Sequence, residues 1–434
     1  KMKKILILIF LLFTVTLYPD WVEIPENLNR QLFENIFTDG MTTEIKFSLN
    51  GYELSDINEL GHNFQKISYW NEGEFLEPGK PYLPRFTRLL ALPNEGEVSI
   101  EIINFEEEVL SNIIVYPTQE LQSESKSNNK EFTIDENYYL EGEIFPSQLL
   151  EAGEPAIMRD LRVVNVTVNP FQYNPQTQEL KIFKNVEFVV NCEGSSGINI
   201  KTINRTHSRF FNQTYKSIVT NYDSSSYRED EFQQPSYLFI YPDDPQVESI
   251  LQELIDWKHR KGYNVVSAST SETGTSSITI KSYIQNAYDT WENPPEFICL
   301  VGDAGGNYSI PTGHLNGGEG DQYYVLLEGN DILADAFIGR LSFNSLFEFQ
   351  TIISKILHYE KEPYMEETDW YNKALLVGDP HISGQSCVDT NMHIKEMIEE
   401  HASNIICQEV YSGNWVYQIS TIINDGVSYF NYRG

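Results

Sequence analysis

The rhythm of hydrophobic and polar positions changes once along the chain. From about Asp20 to about Asn191, apolar residues recur in short runs of period two, broken by Gly, Pro and Asn. That is the pattern of antiparallel strands with one face buried. In Val163–Val168 the residues Val164, Val166 and Val168 share one face, and Asn165 and Thr167 the other. Leu180–Val190 is a second such run. The ten residues between, Asn169 to Gln178, are rich in turn formers, so the two runs read as a pair of strands around a turn. An all-β sandwich of roughly 170 residues fits this part.

After Pro235 the pattern alternates strand and helix. Tyr237–Tyr241 is short and wholly apolar, and Asp243-Asp244-Pro245 then supplies a cap and a first-turn proline. Val247, Ile250, Leu251, Leu254 and Ile255 carry a helical period that Gly262 ends. Val265-Val266 begins a strand, 278–291 is a helix and 297–301 a buried strand leading into Gly302-Asp303. Residues 323–327 and 336–338 read as strands, and Ser345 caps a helix to about Tyr359. Residues 374–377 form a buried strand ending in Gly378-Asp379-Pro380. A helix over 390–401 turns Met392, Met397 and Ile398 inward; a helix over 415–423 and a strand over 427–432 follow. Such alternation predicts one parallel sheet covered on both faces, with sites beyond the carboxyl ends of its strands. The last strand runs into Arg433-Gly434 with no helix to cover it, so this domain is expected to continue past the sequence in hand.

Two polar stretches punctuate the chain: 121–130, inside the β-rich part, and 221–231, where the interdomain linker is expected. At the amino end Lys1, Lys3 and Lys4 precede an apolar run from Ile5 to Leu17, read as a secretory signal too short for an ordinary membrane span. The expected organisation is therefore a signal segment over 1–19, a β-rich domain over 20–225 and an α/β domain over 235–434.

Composition narrows the function classes. Asp plus Glu number 63 against 30 for Lys plus Arg, a formal net charge of −33. Such an excess excludes nucleic acid as partner, and excludes an anionic membrane surface beyond the signal segment. The acidic residues Asp303, Glu319, Asp321, Asp331 and Asp335 fall near loops of the α/β part. Two readings stand for them: hard oxygen ligands for a structural Ca²⁺, with Asp303, Asp321 and Asp331 as the ligand candidates, or a solvated acidic face. The glycine-rich loop around His314 has no phosphate-binding lysine and opens no helix. Four cysteines are too few for a disulfide scaffold; Cys299 lies in an apolar run and reads as a core thiol. Cys387 with His381 or His393 offers a thiol–imidazole pair, weighed against an inert surface thiol.

In order and spacing, several stretches resemble the gingipain-type peptidases. They are Cys299-Leu-Val-Gly-Asp303, Gly320-Asp-Gln-Tyr-Tyr324, Glu328-Gly-Asn-Asp331, Phe337-Ile-Gly-Arg-Leu341, Ile356-Leu-His-Tyr-Glu360 and the closing Gly426 to Gly434. Gly79-Lys-Pro-Tyr-Leu-Pro84, Leu92-Pro93 and Val168-Asn-Pro170 are similar to that family's inhibitory propeptide. The resemblance implies a β-sandwich-like propeptide followed by an α/β caspase-like domain. It also implies a secreted or bacterial cell-surface cysteine endopeptidase zymogen acting on proteins or peptides, with its own propeptide as inhibitor and no cofactor for catalysis. The catalytic His would follow Gly434 directly and the Cys would end the next strand. Asp379 would orient the imidazole, and Asp389 would line a pocket for a basic residue, weighed against its capping the helix near Thr390. An activating cut is expected between the domains, with Arg205, Arg209, Lys216 and Arg228 as candidates and Arg228 the most accessible. The competing reading is a non-catalytic exported surface-binding protein on a degenerate peptidase scaffold.

Overall fold

The computed structural model describes residues 20–121, 131–223, 227–315, 317–379, 381 and 385–433. The expected signal segment over 1–19 and the polar residues 122–130 and 224–226 lie outside the described residues.

The amino-terminal part is β-rich, in three antiparallel sheets around a shared core. One five-stranded sheet is organised by Glu179–Glu193, paired along one edge with the 15-residue strand Glu97–Ser111. Along its other edge it pairs with Thr42–Ser48 and Phe171–Asn174, and Phe33–Thr38 lies beyond. A second five-stranded sheet centres on Leu161–Val168, between Pro84–Leu92 and the short strands Leu150–Ala152 and Ala156–Met158. The third contains Asp20–Glu23, Gly51–Glu59 and His62–Ser68. Phe47, Phe86, Val164, Val166 and Phe188 are buried together between them. The two runs expected to pair do not: Leu161–Val168 and Glu179–Glu193 belong to different sheets. The turn-rich stretch between them holds a strand of its own, Phe171–Asn174, which takes the hairpin partnership. Local turn signals marked a hairpin correctly but one strand too wide.

The carboxyl-terminal part is α/β and parallel, but its sheet is split. Four strands run in the order Asn264–Ser269, Ser236–Tyr241, Phe297–Val301, Phe337–Leu341. Three more form a separate sheet in the order Ile406–Val410, Lys373–Gly378, Tyr429–Arg433. In Ser236–Tyr241, Leu238 and Ile240 pack toward the helix Ser277–Thr290, and Phe239 and Tyr241 toward the helices Pro245–Arg260 and Leu346–Lys361. Burial on both faces is why this strand is apolar at nearly every position. Asp244 caps the second of these helices, its carboxylate accepting from the Gln246 amide at 2.8 Å. The expected strand over 323–327 is instead a 3₁₀ turn, Asp321–Val325, with Tyr324 and Val325 buried. A short apolar run does not distinguish a buried strand from a buried turn.

Helices Pro245–Arg260 and Leu346–Lys361 are tied by Glu360, which accepts from Lys258 and the Trp257 indole at 2.8 Å and from Lys261 at 2.9 Å. Burial alone would raise the Glu360 carboxyl; these three donors outweigh it and hold it at about 2, below its ordinary 4.5. A depressed folded value stabilises above pH 4.5, and that contribution is lost as pH falls through 2. Glu360→Gln is therefore expected to flatten the acid limb of melting temperature against pH between those values. An unchanged slope in thermal scans would show that the cluster contributes nothing.

Candidate active site

The carboxyl ends of the second parallel sheet converge on one small region. Lys373–Gly378 and Tyr429–Arg433 run side by side in register, Gly378 opposite Arg433. The next residue, Asp379, donates its amide to the Arg433 carbonyl at 3.2 Å. Its carboxylate Oδ1 accepts the His381 amide at 2.9 Å. Asp379 thus directly follows the strand Lys373–Gly378, as the sequence reading had it, and lies beside the tip of the last strand.

Asn391 holds this arrangement and was missed. Its side chain is fully buried. Its amide donates to Val377 O at 3.1 Å and Cys387 O at 2.8 Å, and its oxygen accepts from Asn431 at 2.9 Å. One residue therefore ties the helix to both strands that end at the site. The signal available was a lone amide at an inward position of an amphipathic pattern; Met392 and Met397, expected inward, are instead 49% and 38% exposed. Gly378 suits the same packing: a Cβ there would lie 3.1 Å from the backbone carbonyl group of Cys387, so the helix would have to give by a few tenths of an ångström.

The helix begins at Gln385, five residues before the expected Thr390. Asp389 therefore lies within it, exposed, and is not its cap. Cys387 also sits on this helix. His393 is six residues further on, roughly 240° around the axis, where it packs on Trp70 of the β-rich part with ring centroids 4.1 Å apart. It also lies 3.8 Å from Glu396. Cys387 and His393 consequently point to different sides and do not form a dyad. His381 lies by the Trp415 ring, centroids 6.3 Å apart. Cys299 is a buried core thiol, pushed up to about 12 by burial.

The other marked acidic residues are each engaged separately. Asp303 Oδ1 accepts from the Ala304 amide at 2.8 Å and the Ser342 hydroxyl at 2.9 Å. Asp321 forms a two-pronged pair with Arg340 at 2.7 and 2.9 Å. Asp331 accepts the Ile157 amide of the β-rich part at 2.8 Å and the Leu333 amide at 2.9 Å. The three expected Ca²⁺ ligands are thus not gathered into one site, and among the described residues no three His, Cys, Asp or Glu side chains assemble a metal site. No helix among the described residues is long and apolar enough to cross a membrane.

A β-rich module packed on an open parallel α/β module, with a carboxylate set at a strand tip, defines the class: an α/β module carried in one chain with a β-rich companion. Comparison with known proteins makes this specific. Residues 230–434 match the model of peptidase family C25, and residues 31–229 match that of the C25 propeptide. Gingipain R1 of Porphyromonas gingivalis is 26% identical over 420 residues, covering 95% of this chain and 42% of that protein. Lys-gingipain W83 of the same species is 26% identical over 416 residues, covering 90% of this chain and 23% of its own length. The crystal structure of the Arg specific cysteine proteinase gingipain R aligns with 49% of this chain and 49% of that one, at 23% identity and a TM-score of 0.40. The chain belongs to the gingipain-type cysteine peptidase precursors, and it spans less than half the length of gingipain R1.

Proposed function

We propose that the whole protein is a secreted or cell-surface cysteine endopeptidase, made as a latent precursor with the β-rich module as its propeptide. The observation that carries this reading is the Asp379 amide bonded to the Arg433 carbonyl at the strand tip. A histidine directly after Gly434 would stand beside the Asp379 carboxylate. That imidazole takes the proton of a cysteine thiol at the end of the next strand, and the thiolate attacks the peptide carbonyl. The bond to the amine breaks as the imidazole returns the proton, and water then hydrolyses the acyl-enzyme. Asp379 holds the imidazolium in place. Asp389 supplies negative charge to a pocket for Arg or Lys, in keeping with relatives named Arg specific and Lys-gingipain.

The propeptide reading is supported by the accessibility of the linker. Arg228 is 72% exposed in extended backbone, whereas Arg205 is 6% exposed, and Arg209 and Lys216 lie in the helix Arg209–Ile218. The test is turnover of peptides with Arg or Lys before the scissile bond. The activated whole protein is expected to cleave them and to lose activity on thiol alkylation. The 434-residue chain is expected to be inactive, and Cys387→Ala to leave the whole protein's rate unchanged. Rates that fall with Cys387→Ala, or an inactive whole protein bearing the His and Cys, would defeat the assignment.

A further inference from the structure

The hairpin joining Ala156–Met158 to Leu161–Val168 turns through two residues, Arg159 and Asp160. Arg159 takes a φ of +54°, a left-handed backbone state that a two-residue hairpin turn calls for and that non-glycine residues rarely adopt. The hairpin itself sets that backbone; the contacts of the Arg159 side chain are those of the other module. The Arg159 side chain is 1% exposed. Its guanidinium donates to the carbonyls of Pro294 at 3.2 Å, Pro295 at 3.1 Å and Asp335 at 2.8 Å, and to Gln233 Oε1 at 3.1 Å. It also lies over the Tyr288 ring, 5.6 Å from its centroid. Its amide donates to Asp335 Oδ1 at 2.6 Å. Every one of these acceptors follows Arg228 in sequence, on the peptidase side of the exposed linker.

The turn is stiffened from behind by its own module. The Tyr215 hydroxyl lies 2.6 Å from both Met158 O and Asp160 Oδ1. His207 Nδ1 is 2.7 Å from Asp160 Oδ2. A rigid turn thus presents one arginine to a buried, carbonyl-lined socket that pairs both terminal guanidinium nitrogens and, among the described residues, leaves Nε without a partner; Pro294 O is shared with Gln233 and Ser236.

We propose that the α/β module carries a guanidinium socket, formed by Gln233, Pro294, Pro295 and Asp335, and that Arg159 in it is the principal hold keeping the β-rich module in place after the chain is cut at Arg228. The socket's ligand class is an arginine side chain on a tight turn; it rests on reading the residues up to Arg228 as a propeptide. It lies on strand-leading loops of the first parallel sheet, apart from the Asp379 tip. Other contacts across the boundary, such as Arg205 with Glu328 at 3.1 Å, are not expected to hold the modules once the socket is empty.

The experiment uses the full 434-residue chain, nicked after Arg228 by limited trypsin, with Glu229 confirmed as the new amino terminus. Dissociation of the two pieces is then timed on an immobilised sample. Wild-type pieces are expected to stay together. Arg159→Met is expected to speed their separation at least about 100-fold, as breaking a buried charged contact does. Arg159→Lys, which keeps the charge but cannot reach all four acceptors, is expected to give a smaller rise of about tenfold. Arg209→Gln, which removes an exposed pair with Glu229, is expected to change the rate less than twofold. Wild-type pieces that part at once, or an Arg159→Met complex as durable as wild type, would overturn the proposal. Should Arg159→Met not fold, the Lys variant decides on the same criterion. No peptidase activity is read, so the socket can fail while the zymogen assignment stands, and the reverse.

Discussion

Asp335→Ala is expected to lower the unfolding free energy of the chain by about 3–5 kcal/mol. Asp335 is fully buried, and its two oxygens close a loop from within. Oδ2 accepts the amides of Leu327 and Glu328, both at 2.7 Å, while Oδ1 accepts the Arg159 amide. Burial pushes this carboxyl up to about 7, against the pull of those three donors. Removing it orphans three N–H groups, two of them in buried bonds, each worth about 1–3 kcal/mol when left unpaired. Water entering the space left by the side chain recovers part of that loss, which is why the sum falls below three full penalties. Asp335→Asn keeps one acceptor oxygen and is expected to cost less than the alanine. The check is the urea midpoint of the transition that reports on the α/β part. An alanine variant unfolding at the wild-type midpoint would show that the loop 327–335 is held elsewhere.

The same residue shows where sequence reading stops. Asp335 was visible as one of five acidic residues near loops, for which a Ca²⁺ site and a solvated acidic face were the two readings. The structure gives four of them separate donors: an arginine for Asp321, backbone amides for Asp331 and Asp335, and a backbone amide with a hydroxyl for Asp303. Clustering in sequence does not gather these carboxylates into one site: Asp303 follows the strand Phe297–Val301, Asp321 opens a 3₁₀ turn, and Asp331 and Asp335 share the loop that leads into Phe337–Leu341. The alternation of apolar strands and helices after Pro235 was legible because it comes from burial on both faces, a local property of each strand. The break between Phe337–Leu341 and Lys373–Gly378 was not legible, since nothing in a strand's own residues says which neighbour it pairs with. Asp379 was legible as the residue after a buried strand. Asn391 was not, because its role depends on Asn431, forty residues away. Arg159 was passed over for the same reason: its partners lie across the module boundary.

Asp379→Asn in the whole protein is expected to lower kcat by about 10²–10⁴-fold with KM little changed, the effect of removing a carboxylate that orients a catalytic imidazole. The backbone already fixes where this side chain starts. Its amide is bonded to the last carbonyl of the neighbouring strand, and the strand below it is clamped by the fully buried Asn391. Asparagine fits the same space and keeps one acceptor, so the substitution tests charge and tautomer rather than packing. Two readouts separate this role from a structural one. The melting temperature of the 434-residue chain is expected to stay near wild type, because among the described residues the Asp379 carboxylate makes an exposed bond to the His381 amide. The pH profile of thiol alkylation is expected to shift, because a nearby carboxylate raises the pKa of an imidazole and its loss lowers it, moving the thiolate–imidazolium limb to lower pH. A variant with full kcat would remove Asp379 from the site and pass the orienting role to another acceptor at the strand tip. A variant with lost activity and a lowered melting temperature would make the residue a support of the strand end and not a partner of the imidazole.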